Sequence, residues 1–372
     1  MTTVAVFGAG NIGRGLIGWL FGKSGWEVVF VDISPELVEA LNQAGSYPVT
    51  EVGRETTTVI IPDVSAVNPI VDSDRAVQAV SSADLICTAV GTEGLEKVAP
   101  VIAAALARPD SRVRNVLACE NADPNTARLQ AHVSKQLGYL PEEVGFPETL
   151  VDRLIPGPTV GSGLAVQVES RFDFKIAAED WSGYPPQVEG FELVANLELH
   201  RRKKLWLVNG LHAGAAFLGL HAGHDTIAQA VSDPDIRPKL EEMVGTMAEV
   251  LAERLGEPDP SRLVEYGHFN LDRFGSSTLV DPVRRVARNP LRKLGPQERL
   301  LGPAREAARR GLPIDALCDA IVAGLTLQDD EVPGLGELKS AMESPGWKSV
   351  VGLGIEDDRL LAALDTRMRK LP

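Results

Sequence analysis

The chain opens with an unbroken apolar run, Val4-Ala5-Val6-Phe7, and passes directly into Gly8-Ala9-Gly10-Asn11-Ile12-Gly13-Arg14-Gly15. A strand covered on both faces reads this way, because neither side of the pleat has to meet water. A helix is expected from about Ile12 to Ser24 and a second strand from Glu27 to Val31. Tyr47 to Val52 and Thr57 to Ile61 then read as strands of a hairpin around Gly53-Arg54. The alternation resumes with a helix over Arg75 to Val80, a strand over Asp84 to Ala89, a helix over Gly94 to Ala107 and a strand over Asn115 to Cys119. Strands alternating with helices predict a doubly wound parallel sheet.

The second half is patterned differently. Gly145 to Pro158 reads as an ordered crossing segment in which Val151-Asp152-Arg153 invites an ion pair, and residues 160 to 178 alternate loosely, as if to extend the sheet. After Tyr184-Pro185-Pro186 the periodicity becomes helical to the end of the chain. One helical region covers Lys204 to Leu220. Another, about Ile236 to Leu255, carries Leu240, Met243, Val244, Met247, Val250 and Leu251 at the spacing of a core-facing stripe. Pro313 to Met368 reads as closing helices with a loop at Gln328 to Gly336. The expected architecture is α/β: an N-terminal doubly wound Rossmann-type domain with additional strands over 1–190, then a mainly α-helical domain over 191–372. A length of 372 residues suffices for two cores, which leaves room for a cleft.

The glycines at 8, 10 and 13 fit G-x-G-x-x-G in its telling context, after a strand and at the start of a helix. The first permits the tight turn, the second lets backbone N–H groups reach a pyrophosphate, and the third lets helix and strand approach. Asn11, Ile12 and Arg14 share that loop. Asp32 ends the second strand, where a carboxylate accepts hydrogen bonds from ribose hydroxyls; no arginine follows in Ile33-Ser34-Pro35, so NAD is favoured over NADP. The plain alternative is an ordinary turn with a surface aspartate. Ligands of such sheets sit beyond the carboxyl ends of the strands, which adds Val90, Gly91 and Asn121, the last equally well a helix cap or turn residue.

In Lys204-Leu205-Trp206-Leu207-Val208-Asn209-Gly210-Leu211-His212, an amine, a carboxamide and an imidazole stand among apolar residues. At about 100° per residue, Asn209 lies roughly 140° and His212 roughly 80° around the helix from Lys204, one broad face that a ligand could meet. A solvated edge with a hydrogen-bonded core histidine is the plainer reading. His221 and His224 suggest a metal with His212, but no carboxylate or cysteine completes a site, and none is expected. A second constellation, Arg284, Arg285, Arg288, Arg292 and Lys293, stands out against a net charge of −14. It reads either as a phosphate site or as a solvated face pairing with surplus carboxylates. The acidic balance argues against nucleic-acid and anionic-membrane partners. Three scattered cysteines, no basic and apolar leader and no long apolar run suggest a cytoplasmic protein with a small-molecule substrate, as a monomer or small homo-oligomer.

These residues resemble those of the polyol-specific long-chain dehydrogenases, the mannitol dehydrogenase family. The likeness runs over nearly the whole chain: Phe7 to Gly15, Ala118 to Asn121, Val151 to Arg153, the Lys204, Asn209 and His212 spacing, Ala222 to His224, and Arg288 to Leu294. The resemblance implies NAD-dependent, metal-independent hydride transfer in which Lys204 is the general base and Asn209, His212 and Asn121 hold the reacting oxygen. Chemistry agrees: the alcohol's proton must be taken, and apolar or cationic neighbours such as Leu205, Trp206, Arg201, Arg202 and Lys203 favour a neutral amine. The Pro-Leu-Arg-Lys form at 290–293 looks like that of the phosphate-handling members, making Arg288, Arg292 and Lys293 candidates for a substrate phosphate. Gly275-Ser276-Ser277 and Glu148 depart from the family pattern and bear on which polyol is used. Other readings are a dehydrogenase of another polyol or sugar acid, or a non-catalytic NAD-binding sensor.

Overall fold

The computed structural model describes residues 2–53, 55–155, 163–256, 259–276, 280–343, 346–354 and 357–369. Arg54 of the expected hairpin, the end of the expected crossing segment (156–158), the start of the alternating stretch (160–162) and Ser277 lie outside the described residues. Two compact units are present, Met1–Leu197 and Glu198–Pro372.

In the first unit, strands β1 (Thr3–Phe7), β2 (Glu27–Val31), β3 (Tyr47–Val52), β4 (Thr56–Ile61), β5 (Val64–Val67), β6 (Leu85–Thr88) and β7 (Asn115–Ala118) precede β8 (Thr149–Asp152), β9 (Val166–Glu169), β10 (Asp173–Ala177) and β11 (Phe191–Val194). A five-stranded sheet has the order β5-β2-β1-β6-β7, with every pairing parallel. The reason for the apolar run at its centre is visible in the packing. Val4 and Val6 of β1 enter one core with Leu16, Ile17 and Leu20, while Ala5 and Phe7 enter a second core with Leu95, Ile86 and Ile102. Each face of β1 is covered, so no polar position is tolerated.

The later strands do not extend this sheet, contrary to the expectation for residues 160–178. β9 pairs in parallel with β3 beside the β3–β4 hairpin, and β10 lies between β11 and β8 in a third sheet. The segment expected to be a simple crossing contributes β8, and the chain past Pro186 forms β11 before it turns helical. Two helices of the first unit had no clear periodicity but have caps. Ser34 accepts the Leu37 amide at 3.3 Å at the start of Pro35–Ala44, and Asn125 accepts the Thr126 amide at 2.8 Å at the start of Thr126–Leu137. The ion pair anticipated at Val151-Asp152-Arg153 is made by Arg153 to Glu51 at 3.1 Å, with the guanidinium 3.8 Å above the Trp19 ring.

The second unit is helical and has one large core. At its centre Leu211–His221 buries Leu211, Ala213, Gly214, Ala215, Ala216, Phe217, Leu218 and Gly219, so it is covered on nearly every side. Small residues make that possible: a Cβ on Gly219 would stand 2.6 Å from the Ala230 Cβ, and one on Gly214 would stand 2.8 Å from the Met243 Cε. Arg237–Leu255 buries the six apolar positions expected of it, and Asp315–Leu325, Leu335–Glu343, Trp347–Val351 and Asp358–Met368 close the unit.

This packing separates two glycines that look alike in sequence. A Cβ on Gly210 would stand 2.6 Å from the Arg299 carbonyl oxygen, whereas one on Gly245 meets nothing within 4 Å. Gly210→Ala is expected to lower unfolding free energy by about 1–3 kcal/mol, since a backbone carbonyl must move. Gly245→Ala, in an open helical position, should raise it by roughly 0.5–1 kcal/mol. Urea titrations of the two variants check the contrast, and equal effects of the same sign would contradict the packing.

Candidate active site

The glycine loop following β1 is held from three sides. Gly8 adopts a φ of 90°, and a Cβ there would stand 2.6 Å from the Ala89 carbonyl oxygen beyond β6. Gly13 is tighter, with a Cβ position only 1.9 Å from the Gly8 carbonyl oxygen, while Gly10 is exposed with nothing within 4 Å. The tight turn, the close strand–helix approach and the open backbone between them are what a bound pyrophosphate requires. A helix over 11–23 follows, π-helical over Gly13–Gly18, with Asn11 and Ile12 half-buried at its start. Asp32 is half-buried under the loop: its Oδ2 accepts the Ala9 amide at 2.7 Å and its Oδ1 the Ser34 amide at 2.9 Å. Arg14 is buried. Its Nε donates to the Ala9 carbonyl at 2.7 Å and its Nη1 to the Leu164 carbonyl, so this side chain braces the loop from behind.

Val90 and Gly91 lie beside the loop at the end of β6, and their position depends on Glu120, which the sequence offered only as part of the strand-end segment Cys119-Glu120-Asn121. Glu120 is buried; its Oε2 accepts the Thr88 hydroxyl at 2.8 Å and its Oε1 the Val90 amide at 2.9 Å. Burial raises its pKa against the pull of those two hydrogen bonds. Gly8, Gly10, Asn11, Ile12, Gly13, Arg14, Asp32, Val90 and Gly91 thus converge at the carboxyl ends of β1, β2 and β6. Asn121 follows Glu120 and is exposed, while the capping role weighed for it belongs to Asn125. Glu148, the departure from the family pattern, accepts the Asn125 amide at 3.1 Å and the Ala127 amide at 2.7 Å, where a carboxylate suits a helix N-terminus.

In the second unit the Lys204 to His212 stretch is not an ordinary α-helix. Leu197–Lys204 is α-helical, Leu205–Gly210 is π-helical, and α-helix resumes at Leu211. The wider π turn holds about 4.4 residues, or about 80° per residue, so five steps bring Asn209 to within about 50° of Lys204. His212 then falls about 30° to the other side. The three side chains occupy an arc of about 80° instead of the 140° an α-helix would give. Lys204 is buried and Asn209 half-buried.

His212 has a partner that sequence alone did not suggest. Its Nε2 lies 3.0 Å from Oδ2 of the buried Asp281, an ion-pair contact off the ideal hydrogen-bond line. Neither atom has a hydrogen-bond partner among the described residues. The imidazole stacks on Phe274 with centroids 4.4 Å apart and planes 11° from parallel. Burial depresses the histidine pKa, aided by Arg285 and Arg273 and opposed by Asp281. For Asp281, burial works against ionisation, but His212 and Arg285 together hold its pKa below the ordinary value. The pair is therefore a neutral imidazole facing a carboxylate. His221 and His224 are occupied elsewhere: Nε2 of His221 lies 2.9 Å from the Ala323 carbonyl oxygen, and that of His224 lies 2.7 Å from Asp233 Oδ2. Among the described residues no group of three or more His, Cys, Asp or Glu is placed to hold a metal ion.

The arginine-rich segment divides into two kinds of cation. Arg284 pairs with Asp329 at 2.7 Å and Glu331 at 3.2 Å, the solvated face that the alternative reading describes. Arg288 and Arg292 are exposed and, among the described residues, have no carboxylate at ion-pair distance. Burial lowers the Arg288 pKa, and Arg285 and Arg292 add to the effect. Lys293 is buried instead of exposed, with Nζ donating to the Val286 carbonyl. Its pKa is pushed down to about 7 by burial and then by Arg299, Arg288, Arg292 and Arg285.

Family models for the mannitol dehydrogenase Rossmann domain and the mannitol dehydrogenase C-terminal domain match residues 2–190 and 196–334. The chain is 37% identical over 361 residues to mannitol-1-phosphate 5-dehydrogenase of Exiguobacterium sibiricum, covering 96% of this chain and 94% of that protein. It is 40% identical over 306 residues to the protein of that name from Geobacillus thermodenitrificans, covering 80% and 79% of the two chains. Among solved structures, Pseudomonas fluorescens mannitol 2-dehydrogenase in ternary complex with NAD and D-mannitol aligns with a TM-score of 0.70 at 14% identity, covering 99% of this chain and 92% of that one. A substrate-free D-sorbitol dehydrogenase aligns with a TM-score of 0.77 at 16% identity, covering 99% and 93%. With both domain models matched in order, and relatives this similar over nearly the whole length, the chain belongs to the mannitol dehydrogenase family.

Proposed function

We propose that this protein catalyses the NAD-dependent oxidation of D-mannitol 1-phosphate to D-fructose 6-phosphate and its reverse. The observation that carries this reading is the placement of the Lys204, Asn209 and His212 arc in the same unit as a cationic cluster, the two joined through Asp281. The activity named for the relatives at 37% and 40% identity supports the same substrate. The open backbone at Gly10, framed by Gly8 and Gly13 above Asp32, fits a dinucleotide, and NAD, when bound, supplies the acceptor for the hydride. Lys204 takes the proton of the substrate hydroxyl, and in reduction returns it to the forming alcohol. Asn209, His212 and Asn121 hold the oxygen on which charge develops. Arg288 and Arg292 bind the phosphate, with Lys293 beneath them adding charge when protonated. Three free, buried cysteines suit a reducing, cytoplasmic setting.

The phosphate assignment is tested by NADH formation with mannitol 1-phosphate against mannitol. Charge-assisted hydrogen bonds of about 1.5–3 kcal/mol each predict a kcat/KM preference of about 100-fold or more for the phosphorylated substrate, most of it lost in Arg288→Ala/Arg292→Ala. Equal turnover of the two polyols removes the assignment.

Lys293 adds a pH dependence. In the free protein it titrates at about 7. A bound phosphate favours the protonated amine, so the contribution of Lys293 to affinity is full at lower pH and is lost as the pH rises through the bound-state value. KM for the phosphorylated substrate is expected to climb above pH about 7 in the wild type and not in Lys293→Met. Parallel KM profiles in the two proteins would contradict a role for Lys293.

A further inference from the structure

We propose that Asp281 is a positioning residue for His212, holding the imidazole in one orientation and one tautomer through a chain that runs Arg285 to Asp281 to His212. The inference rests on the reading that His212 faces the substrate oxygen.

Each link is anchored. Asp281 Oδ1 accepts from Arg285 Nε at 2.7 Å and lies 2.6 Å from its Nη2, which leaves Oδ2 for His212 Nε2 at 3.0 Å. The backbone of Asp281 is held as well, since its carbonyl accepts the Ile227 amide at 2.9 Å and the next residue, Pro282, bridges Thr226. Phe274 fixes the plane of the ring from one face. Both Nε2 and Oδ2 are buried and, among the described residues, neither has a hydrogen-bond partner of good geometry; at 3.0 Å a small turn of the ring lets each satisfy the other, and otherwise both are orphaned at a cost. A carboxylate cannot donate, so the proton of a neutral imidazole resides on Nε2 and Nδ1 carries the lone pair. Nδ1 is then the nitrogen available to the polyol, as an acceptor from a hydroxyl next to the reacting one, whose own proton goes to Lys204. Arg285 is held by Asp281, while Arg288 and Arg292 of the same segment have no carboxylate at ion-pair distance among the described residues. Asp281 therefore stands between the phosphate-binding segment and the imidazole. The charged groups acting on His212 are Asp281, Arg285 and Arg273.

The measurement is the nitrogen resonance pattern of His212 in histidine-labelled wild-type protein, assigned by its absence in His212→Gln, beside the kinetics of Asp281→Asn and Asp281→Glu. The wild type is expected to show the Nε2–H tautomer. Asp281→Asn should lose that preference and lower kcat by about 10- to 100-fold, the usual cost of removing a partner that orients a ligand. KM for mannitol 1-phosphate should change by less than threefold, and Asp281→Glu should recover part of kcat. An Nδ1–H tautomer in the wild type overturns the proposal, whether or not Asp281→Asn folds. So does a folded Asp281→Asn protein with unchanged tautomer and unchanged kcat. The tautomer is read without substrate, so a failure of the mannitol 1-phosphate assignment would appear in turnover of the wild type and leave this measurement standing.

Discussion

The central constraint is a helix that must be buried on nearly every side yet present three polar groups together. From Leu211 to His221 it is packed in the core of the second unit, and small residues at 213–216 and 219 let neighbouring helices approach to contact. Such a helix has no solvated face on which to spread a lysine, an asparagine and a histidine. The π turn over Leu205–Gly210 resolves the conflict by widening one turn, which draws Lys204, Asn209 and His212 into a narrower arc. Gly210 at its end leaves room for the Arg299 carbonyl, so the widened turn and the close packing are one feature.

Around that helix the charges are arranged by pairing and by the lack of it. The protein carries a net charge of −14, and many of its surface cations have carboxylate partners, as Arg284 does with Asp329 and Glu331. Arg288 and Arg292 lack them among the described residues, and Lys293 is buried beside both. The proposed phosphate site rests on this difference, since an anion relieves the repulsion among charges held so close together. Asp281 brings the two arrangements into contact, with one oxygen toward Arg285 and the other toward His212.

What could be read in the sequence was what depends on near neighbours. The run Val4 to Phe7, the glycines at 8, 10 and 13, Asp32 and the apolar stripe of Arg237–Leu255 are local patterns with local physical causes, and each is found where its pattern places it. The helix at Lys204 to His212 was legible, but its π turn was not, since an assumed period of 3.6 spreads the trio too widely. Asp281, and the bond that Glu120 makes to Thr88, were missed because the partners, His212 and Thr88, lie far away in the chain. Arg14 and Lys293 look like surface cations in sequence, and only packing reveals that both are buried and donate to backbone carbonyls. The strands expected over 160–178 were misassigned to the parallel sheet because loose alternation identifies a strand and not its neighbour.

The most direct test of the account is chemical rescue of a Lys204→Ala enzyme. If the amine of Lys204 is the base, NADH formation from mannitol 1-phosphate should fall by at least about 100-fold and recover in part when a small alkylamine is added. The recovered rate should follow the concentration of the free amine, with NADH affinity unchanged throughout. A Lys204→Ala enzyme that keeps wild-type turnover, or one whose lost turnover returns equally with any buffer base, would contradict the assignment of proton transfer to this helix.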